Sequence, residues 1–252
     1  MLKPLFQAKL HNISWDTLSK NPNDEAITLL LQHPDKIGWS WLSSNTNDRA
    51  IDILSLNLHK IDWWHLSTNP NERAVTLLLQ HREHIDWHNF SSNSNDMAVD
   101  LLLQHPDKIF WPKLSCNPND KAITMLLEEY ADKVNYFCLS SNPNDKAVAY
   151  LLQHPDEIDW YHLSANPNDR AVNFVLQHPD KIDWDGLSAN PNDRAVDFLV
   201  RYPDKINWYR LSLNCNVRAF NLLQENLDKI SDDYIWAIWA NPNIFMNKKV
   251  SP

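Results

Sequence analysis

Apolar residues recur along this chain in a pattern that returns about every 24 residues. In the repeat that contains Asn69 to His81, polar residues come first, and an apolar stretch from Ala74 to Leu79 follows with only Thr76 interrupting it. Apolar residues at this spacing form one face of a helix, and the small Ala74 leaves room for close packing. The pattern therefore predicts a long helix in this part of each repeat.

The residues at both ends of this segment favour the same helix. Asn69 is a good N-cap, Pro70 suits the first helical position, and Glu72 follows three residues after the cap. In most repeats a pair such as His105-Pro106 comes next, and proline disfavours helix in the residue before it. We therefore expect the long helix to begin at the first asparagine and to end before the His-Pro pair.

A second, shorter apolar pattern precedes the asparagines. Trp63 and Leu66 lie three residues apart, which places both on one face of a helix, and Asp62 can cap that helix. We expect the Trp and Leu side chains to face inward and the two residues after each Trp to face solvent. Each repeat is therefore predicted to contain a pair of helices.

An aromatic residue stands six residues before the first asparagine in each repeat. The spacing is 24 residues everywhere except between Trp111 and Tyr136, where one residue is added. The aromatic residues are Trp15, Trp39, Trp63, Trp87, Trp111, Tyr136, Trp160, Trp184 and Trp208. So short a helix pair cannot bury its own apolar face, and stacked pairs share one core. The sequence thus predicts an all-α fold, an α-solenoid of about nine tandem 24-residue helix-turn-helix repeats with end caps.

The repeats are expected to form a single domain over residues 1–252, with an N-terminal cap at 1–14, repeats at 15–234 and a C-terminal cap at 235–252. The last repeat is degraded, since Ile235 stands where an aromatic residue is expected. Caps normally turn a polar face to water, because an uncovered end offers the surface that joins repeats.

The C-terminal segment is unusually apolar and contains Trp236, Trp239, Ile244 and Phe245. These side chains either fold back over the core or form an exposed patch, and a self-complementary patch would join two chains in a closed dimer. We expect the fold-back, because the nearby Asn-Pro-Asn sequence provides one more cap-like turn. The chain is therefore predicted to be a monomer rather than a C-terminal dimer.

A leucine-rich repeat is the alternative fold, since its period is 20–29 residues. Trp63, Leu66 and Asn71 fall at its first, fourth and ninth positions. The leucine expected in the strand is replaced by Thr68, which disfavours a strand.

Composition narrows the classes of function. The chain has only two glycines, Gly38 and Gly186, so it lacks a glycine-rich phosphate loop. Its net charge of −9 disfavours nucleic acid and anionic membranes as partners. Three scattered cysteines indicate a reducing compartment. We find no signal peptide and no apolar run near the roughly 18 residues that span a membrane, so we expect an intracellular, cytoplasmic protein with no membrane partner.

One repeat position is rich in histidine: His33, His81, His105, His154 and His178. A metal ladder is one interpretation, but zinc needs four ligands, and neighbouring repeats lie about 10 Å apart. We expect these residues to close the long helix by bonding a nearby carbonyl oxygen. The asparagines are likewise expected to serve as helix caps and in hydrogen bonds between repeats. No metal or cofactor is therefore expected.

One column is mostly basic: Arg49, Arg73, Lys121, Lys146, Arg170, Arg194 and Arg218. It follows an acidic column that includes Asp48 and Glu72. A basic ribbon could follow a phosphate backbone, which makes binding of an anionic ligand or nucleic acid the alternative function. Because each cation lies beside an acid, we expect a charge-paired edge instead, and nucleic acid is an unlikely partner.

The variable positions carry the functional prediction. No unique catalytic set stands out, and a motif repeated in this way is structural, so we expect no enzyme. The two residues after each aromatic include large aromatics and arginine, which are enriched at interaction hot spots. The candidate partner-binding residues are Trp41, Trp64, His65, His88, Phe137, Tyr161, His162, Tyr209 and Arg210. The sequence thus predicts a non-enzymatic protein-protein interaction scaffold, unless these side chains only pack against adjacent helices.

The unit Trp-x-x-Leu-Ser-x-Asn-Pro-Asn-x-x-Ala-Val-x-x-Leu-Leu-x-x-Pro-Asp-Lys-Ile resembles short repeats in uncharacterised proteins of giant DNA viruses. Residues 184 to 206 carry the resemblance, which extends over nearly the whole chain. It implies a viral origin, with the host-cell cytoplasm as the compartment, and an α-solenoid. It implies no activity and no catalytic residues.

Overall fold

The computed structural model describes residues 14–229, and the chain divides into two compact units, residues 1–125 and 126–252. All regular elements among the described residues are helical, so the predicted all-α class and the α-solenoid are confirmed. The leucine-rich alternative is wrong, because residues 14–229 form no strand. The single domain over 1–252 stays a prediction.

In the first unit, each repeat contains a short helix and a long helix. The short helices are Trp15–Lys20, Trp39–Ser43, Trp63–Ser67, Trp87–Phe90 and Trp111–Ser115. The long helices are Asp24–Gln32, Asp48–Ser55, Glu72–Gln80, Asp96–Gln104 and Asp120–Glu129, the last of which ends in the second unit. Turns of 3-10 helix follow at Pro34–Lys36, Leu58–Lys60, Arg82–His84 and Pro106–Lys108.

The second unit repeats this arrangement. Its short helices are Tyr136–Ser141, Trp160–Ala165, Trp184–Ala189 and Trp208–Ser212. The long helices are Asp145–Leu151, Asp169–Leu176, Asp193–Leu199 and Val217–Gln224, and the 3-10 turns are Ala131–Lys133, Pro155–Glu157, Pro203–Lys205 and Leu227–Lys229. Within each unit, short helices pack on the short helices of the next repeat and long helices on long helices. The result is two helical layers with the core between them.

The core of the short-helix layer is formed by the residue three positions after each aromatic. Leu66 and Phe90 are fully buried, whereas Trp63 and its equivalents are half-buried. The Trp63 ring lies against His81 at the end of the long helix, with ring centroids 5.6 Å apart. The inward orientation predicted for the tryptophans is therefore only partly correct, because each ring also covers the edge of its repeat.

The N-cap of the long helix is the second asparagine of each Asn-Pro-Asn sequence, so the predicted cap at Asn69 is wrong. The side-chain oxygen of Asn71 accepts a hydrogen bond from the backbone N–H of Arg73 at 2.8 Å. Pro70 precedes the helix, which begins at Glu72. The sequence provides two residues that can cap, and the packing between repeats decides between them.

The first asparagine of each repeat connects neighbouring repeats. Asn69 is buried, and its side-chain N–H₂ donates to the carbonyl oxygens of Ser43 and Asn45 in the preceding repeat, at 3.1 and 2.9 Å. Asn93 donates in the same way to Ser67 and Asn69. The predicted role of the asparagines as caps and inter-repeat hydrogen bonders is confirmed, with the two tasks divided between the two asparagines.

As predicted, the long helices end at or just before the repeat position that is rich in histidine. The Nδ1 atoms of His154 and His178 lie 2.9 and 2.8 Å from the carbonyl oxygen four residues earlier. Asn57 occupies the same position and donates to the equivalent carbonyl at 2.8 Å. The 3-10 turns that follow were not part of the prediction.

The apolar segment with Trp236, Trp239, Ile244 and Phe245 lies outside the described residues, as do residues 1–13. The fold-back, the monomer and the two end caps therefore stay predictions. None of the helices between residues 14 and 229 has the length and apolar character to cross a membrane.

Candidate partner-binding face

The residue directly after each repeat aromatic points away from the core. The exposed fraction is 54% for Trp64 and 57% for Phe137, and His88 is also exposed. Tyr161 and Tyr209 at the same position are half-buried. The aromatic residue and the leucine three residues later lie on the inner side of the short helix. The residue directly after the aromatic therefore lies on the outer side and faces solvent. The predicted orientation of this position is confirmed for the exposed members.

The second residue after each aromatic packs against neighbouring short helices, so its predicted outward orientation is wrong in several repeats. Asn89 and Gly186 are buried there, and a Cβ atom at Gly186 would lie 2.5 Å from the carbonyl oxygen of Tyr161. His65, His162 and Arg210 are half-buried, and Trp41 is 39% exposed. This position therefore combines packing with partial exposure.

Four residues of the first unit form what we term the Trp64 cluster: Trp41, Asp62, Trp64 and His65. The ring of His65 lies between two tryptophans, with centroids 5.9 Å from Trp41 and 4.7 Å from Trp64. Its Nδ1 atom lies 2.8 Å from a carboxylate oxygen of Asp62. The carboxylate also caps the short helix by accepting from the His65 backbone N–H.

The second unit contains a similar arrangement, which we term the Tyr161 cluster: Phe137, Asp159, Tyr161 and His162. Its ring from the preceding repeat, Phe137, comes one residue after the repeat aromatic, whereas Trp41 comes two residues after it. The His162 ring lies 4.1 Å from Phe137 and 5.1 Å from Tyr161, measured between centroids. Its Nδ1 atom lies 2.9 Å from a carboxylate oxygen of Asp159. In both clusters an aspartate holds the imidazole, and aromatic rings flank it.

Both aspartates have lowered pKa values. Burial alone raises the pKa of Asp62, but hydrogen bonds from the Ser40 side chain, the His65 ring and the His65 backbone N–H outweigh it. Burial likewise raises the pKa of Asp159, and hydrogen bonds from the His162 backbone and ring reverse the effect. The two carboxyl groups are therefore anionic at neutral pH.

Cations of the chain already lie over the rings of both clusters. The Nζ atom of Lys20 is 5.4 Å from the centroid of Trp41. The guanidinium carbon of Arg210 is 6.0 Å from the centroids of Tyr161 and Tyr209. Such contacts are attractive because the face of an aromatic ring carries partial negative charge.

The sequence identified the aromatic and histidine residues of both clusters but missed the aspartates as part of a site. The sequence pattern predicts Asp62 only as a cap and gives Asp159 no role, although Asp-Trp-(Trp/Tyr)-His occurs in these two repeats alone. That spacing places the histidine ring next to the capping carboxylate. Phe110, which is 41% exposed and packs against the His88 ring with centroids 4.2 Å apart, was also missed.

The basic column lies on the long helices, and the predicted charge pairing is confirmed for three of its seven members, whereas Arg49 and Arg194 donate to uncharged acceptors of the preceding repeat. The ion pairs to the preceding repeat are Arg73–Asp52 at 2.8 Å, Lys121–Asp100 at 2.8 Å and Arg218–Asp197 at 3.0 Å. The hydrogen bond to Asp100 raises the pKa of Lys121. These carboxylates lie four residues beyond the acidic column, which accepts mainly from asparagine caps, as Asp48 does from Asn71 at 2.8 Å.

In the histidine column, His154 and His178 place a ring nitrogen against a backbone carbonyl. The rings of the other members and of His178 lie against tryptophans: His33, His81, His105 and His178. Between residues 14 and 229, no three His, Cys, Asp or Glu side chains lie close enough together to hold a metal ion.

By its fold, the chain is an α-solenoid repeat protein. Comparisons with protein-family models, with curated proteins and with solved structures gave no match. The relation to viral repeats stays a prediction.

Proposed function

We propose that this chain is a non-enzymatic scaffold that binds a protein partner through the outer face of its short helices. The observation that carries the proposal is the exposure of Trp64 and Phe137, at equivalent positions of the two units. Burying a large exposed ring against a partner is favourable because it removes apolar surface from water, and aromatic residues dominate interaction hot spots.

The setting of these rings supports a binding role. Trp41 and Trp64 flank the His65 ring, whose Nδ1 atom lies 2.8 Å from a carboxylate oxygen of Asp62. These contacts limit the conformations that the two tryptophan rings can adopt. A face whose side chains are already fixed loses little conformational entropy when a partner docks.

The basic column provides less support for the alternative function. Its cations donate to acceptors of the preceding repeat: Arg73 and Lys121 to carboxylates, and Arg49 to the Asp24 carbonyl at 3.2 Å. A phosphate would have to displace these contacts. We therefore place the partner-binding surface on the short helices.

A comparative pull-down from cells tests the proposal. The bait variants carry Trp41→Ala, Trp64→Ala, Phe137→Ala and Tyr161→Ala together, and the matched control carries Leu56→Ala and Val200→Ala. These control residues are 84% and 55% exposed and lie at the ends of long helices. We expect a protein retained by wild type and control to be lost with the face variant. Equal retention by all three baits would refute the proposal.

A further inference from the structure

The Trp64 and Tyr161 clusters repeat one chemistry in two separate units. Each contains a carboxylate, an imidazole whose Nδ1 atom lies within 2.9 Å of it, and two aromatic rings of which at least one is more than half exposed. Asp-Trp-(Trp/Tyr)-His is found in no other repeat, so the arrangement is additional to what the solenoid requires for its packing.

The electrostatic character of both clusters favours cations. The faces of aromatic rings attract positive charge, and an adjacent carboxylate strengthens that attraction. Asp62 and Asp159 are only partly buried, with 29% and 32% of their side chains exposed, so their charge acts at the surface.

Two cations of the chain already lie over aromatic rings of the clusters. Lys20 lies over Trp41 in the first unit, and Arg210 lies over Tyr161 in the second. Among residues 14–229, no lysine or arginine lies over Trp64 or Phe137, the two most exposed rings. Each cluster therefore has one ring that is occupied by an internal cation and one that is open.

The surface beside the Trp64 cluster is concave. A cavity of about 520 Å³ is lined by Asp16, Thr17, Lys20, Asn21, Pro22 and Trp41. Asp16 adds a carboxylate to this surface, and the opening is large enough for a long side chain.

We propose that the Trp64 and Tyr161 clusters bind arginine side chains from a basic, extended segment of the partner protein. The inference rests on the proposed function, since the same face binds the partner. Arginine fits better than lysine because its planar guanidinium stacks on a ring while its N–H groups reach a carboxylate. The net charge of −9 draws a basic segment toward the chain.

The test uses fluorescence anisotropy with a labelled peptide of alternating arginine and glycine. Two controls have the same length: one replaces arginine by the neutral isostere citrulline, and the other is proline-rich. We expect the arginine peptide to bind at least about tenfold more tightly than either control, and its affinity to fall with added salt.

Substitutions locate the binding. Trp64→Ala with Phe137→Ala should weaken binding of the arginine peptide by about tenfold, whereas Trp64→Tyr with Phe137→Tyr should stay within about threefold of wild type. Leu56→Ala should bind as wild type does. Because these side chains are exposed, the circular dichroism spectra of the variants should match that of wild type.

Equal binding of the arginine and citrulline peptides would overturn the inference, and so would an alanine variant that binds the arginine peptide like wild type. Preference for the proline-rich peptide would assign the face to another ligand. If the arginine peptide fails while the pull-down still shows a partner that depends on the aromatic residues, the proposed function stands and only the partner's chemistry is wrong.

Discussion

At the scale of single residues, the aromatic column is not the most buried position of the repeat. The aromatic column is tryptophan in eight of its nine positions, yet these rings are half-buried. The residue three positions later, Phe90 in the Trp87 repeat, is fully buried. The Trp87 ring lies between Phe90 and His105, with centroids 5.8 and 5.6 Å away, and so seals the edge of the core.

This difference predicts an order of stabilities. Phe90→Ala should lower the free energy of unfolding by about 3–5 kcal/mol, because it leaves a cavity in a packed core. Trp87→Ala should cost less, about 2 kcal/mol, because its ring lies at the edge of the core and keeps part of its surface in water. Urea unfolding followed by circular dichroism measures both. A larger loss of stability for Trp87→Ala than for Phe90→Ala would contradict this order and indicate that the tryptophan contributes more to the core.

At the scale of elements, the sequence predicted the helix pairs well because the 24-residue spacing and the apolar periodicity are local signals. The N-cap was placed two residues early at Asn69, because Asn-Pro-Asn contains two residues with the same capping chemistry. Only the stacked repeats show that the first asparagine donates to the preceding repeat. The Asp62–His65 pair was missed because the two residues belong to different repeat positions, and each position was interpreted separately.

The separate roles of the two asparagines, one in hydrogen bonds between repeats and one as the N-cap, can be tested. Asn93→Ala removes two buried hydrogen bonds to carbonyl oxygens and the acceptor for the Asn95 N–H. Each unsatisfied buried group costs about 1–3 kcal/mol, so we expect a loss of about 3–5 kcal/mol. Asn95→Ala removes the N-cap, which costs about 1 kcal/mol. Thermal or urea unfolding of the two variants decides the point, and equal losses would contradict the assignment.

At the scale of the whole molecule, charge separates the two candidate functions. The chain has 23 basic and 32 acidic residues, and cations of the basic column are held by carboxylates of the preceding repeat. The adjacent acidic and basic columns predicted this pairing but not which acids take part. In the stacked repeats, each paired cation reaches a carboxylate that lies one helical turn beyond the acidic column. The column that looks basic in the sequence is thus neutralised in part in the fold, through Arg73, Lys121 and Arg218.

This neutralisation predicts weak binding of nucleic acid, with a Kd above about 10⁻⁴ M for a labelled DNA duplex at physiological salt. Replacing the partner carboxylates by amides (Asp52→Asn, Asp100→Asn and Asp197→Asn) frees the cations and should strengthen binding in a salt-dependent manner. The matched control removes three charges from the turns that follow the long helices (Asp35→Asn, Asp107→Asn and Asp180→Asn) and should change binding less, because the three ion pairs of the basic column remain. Fluorescence anisotropy across a salt series measures all three proteins. Tight, salt-sensitive binding by the wild type would favour the basic column as the functional surface and count against the aromatic face.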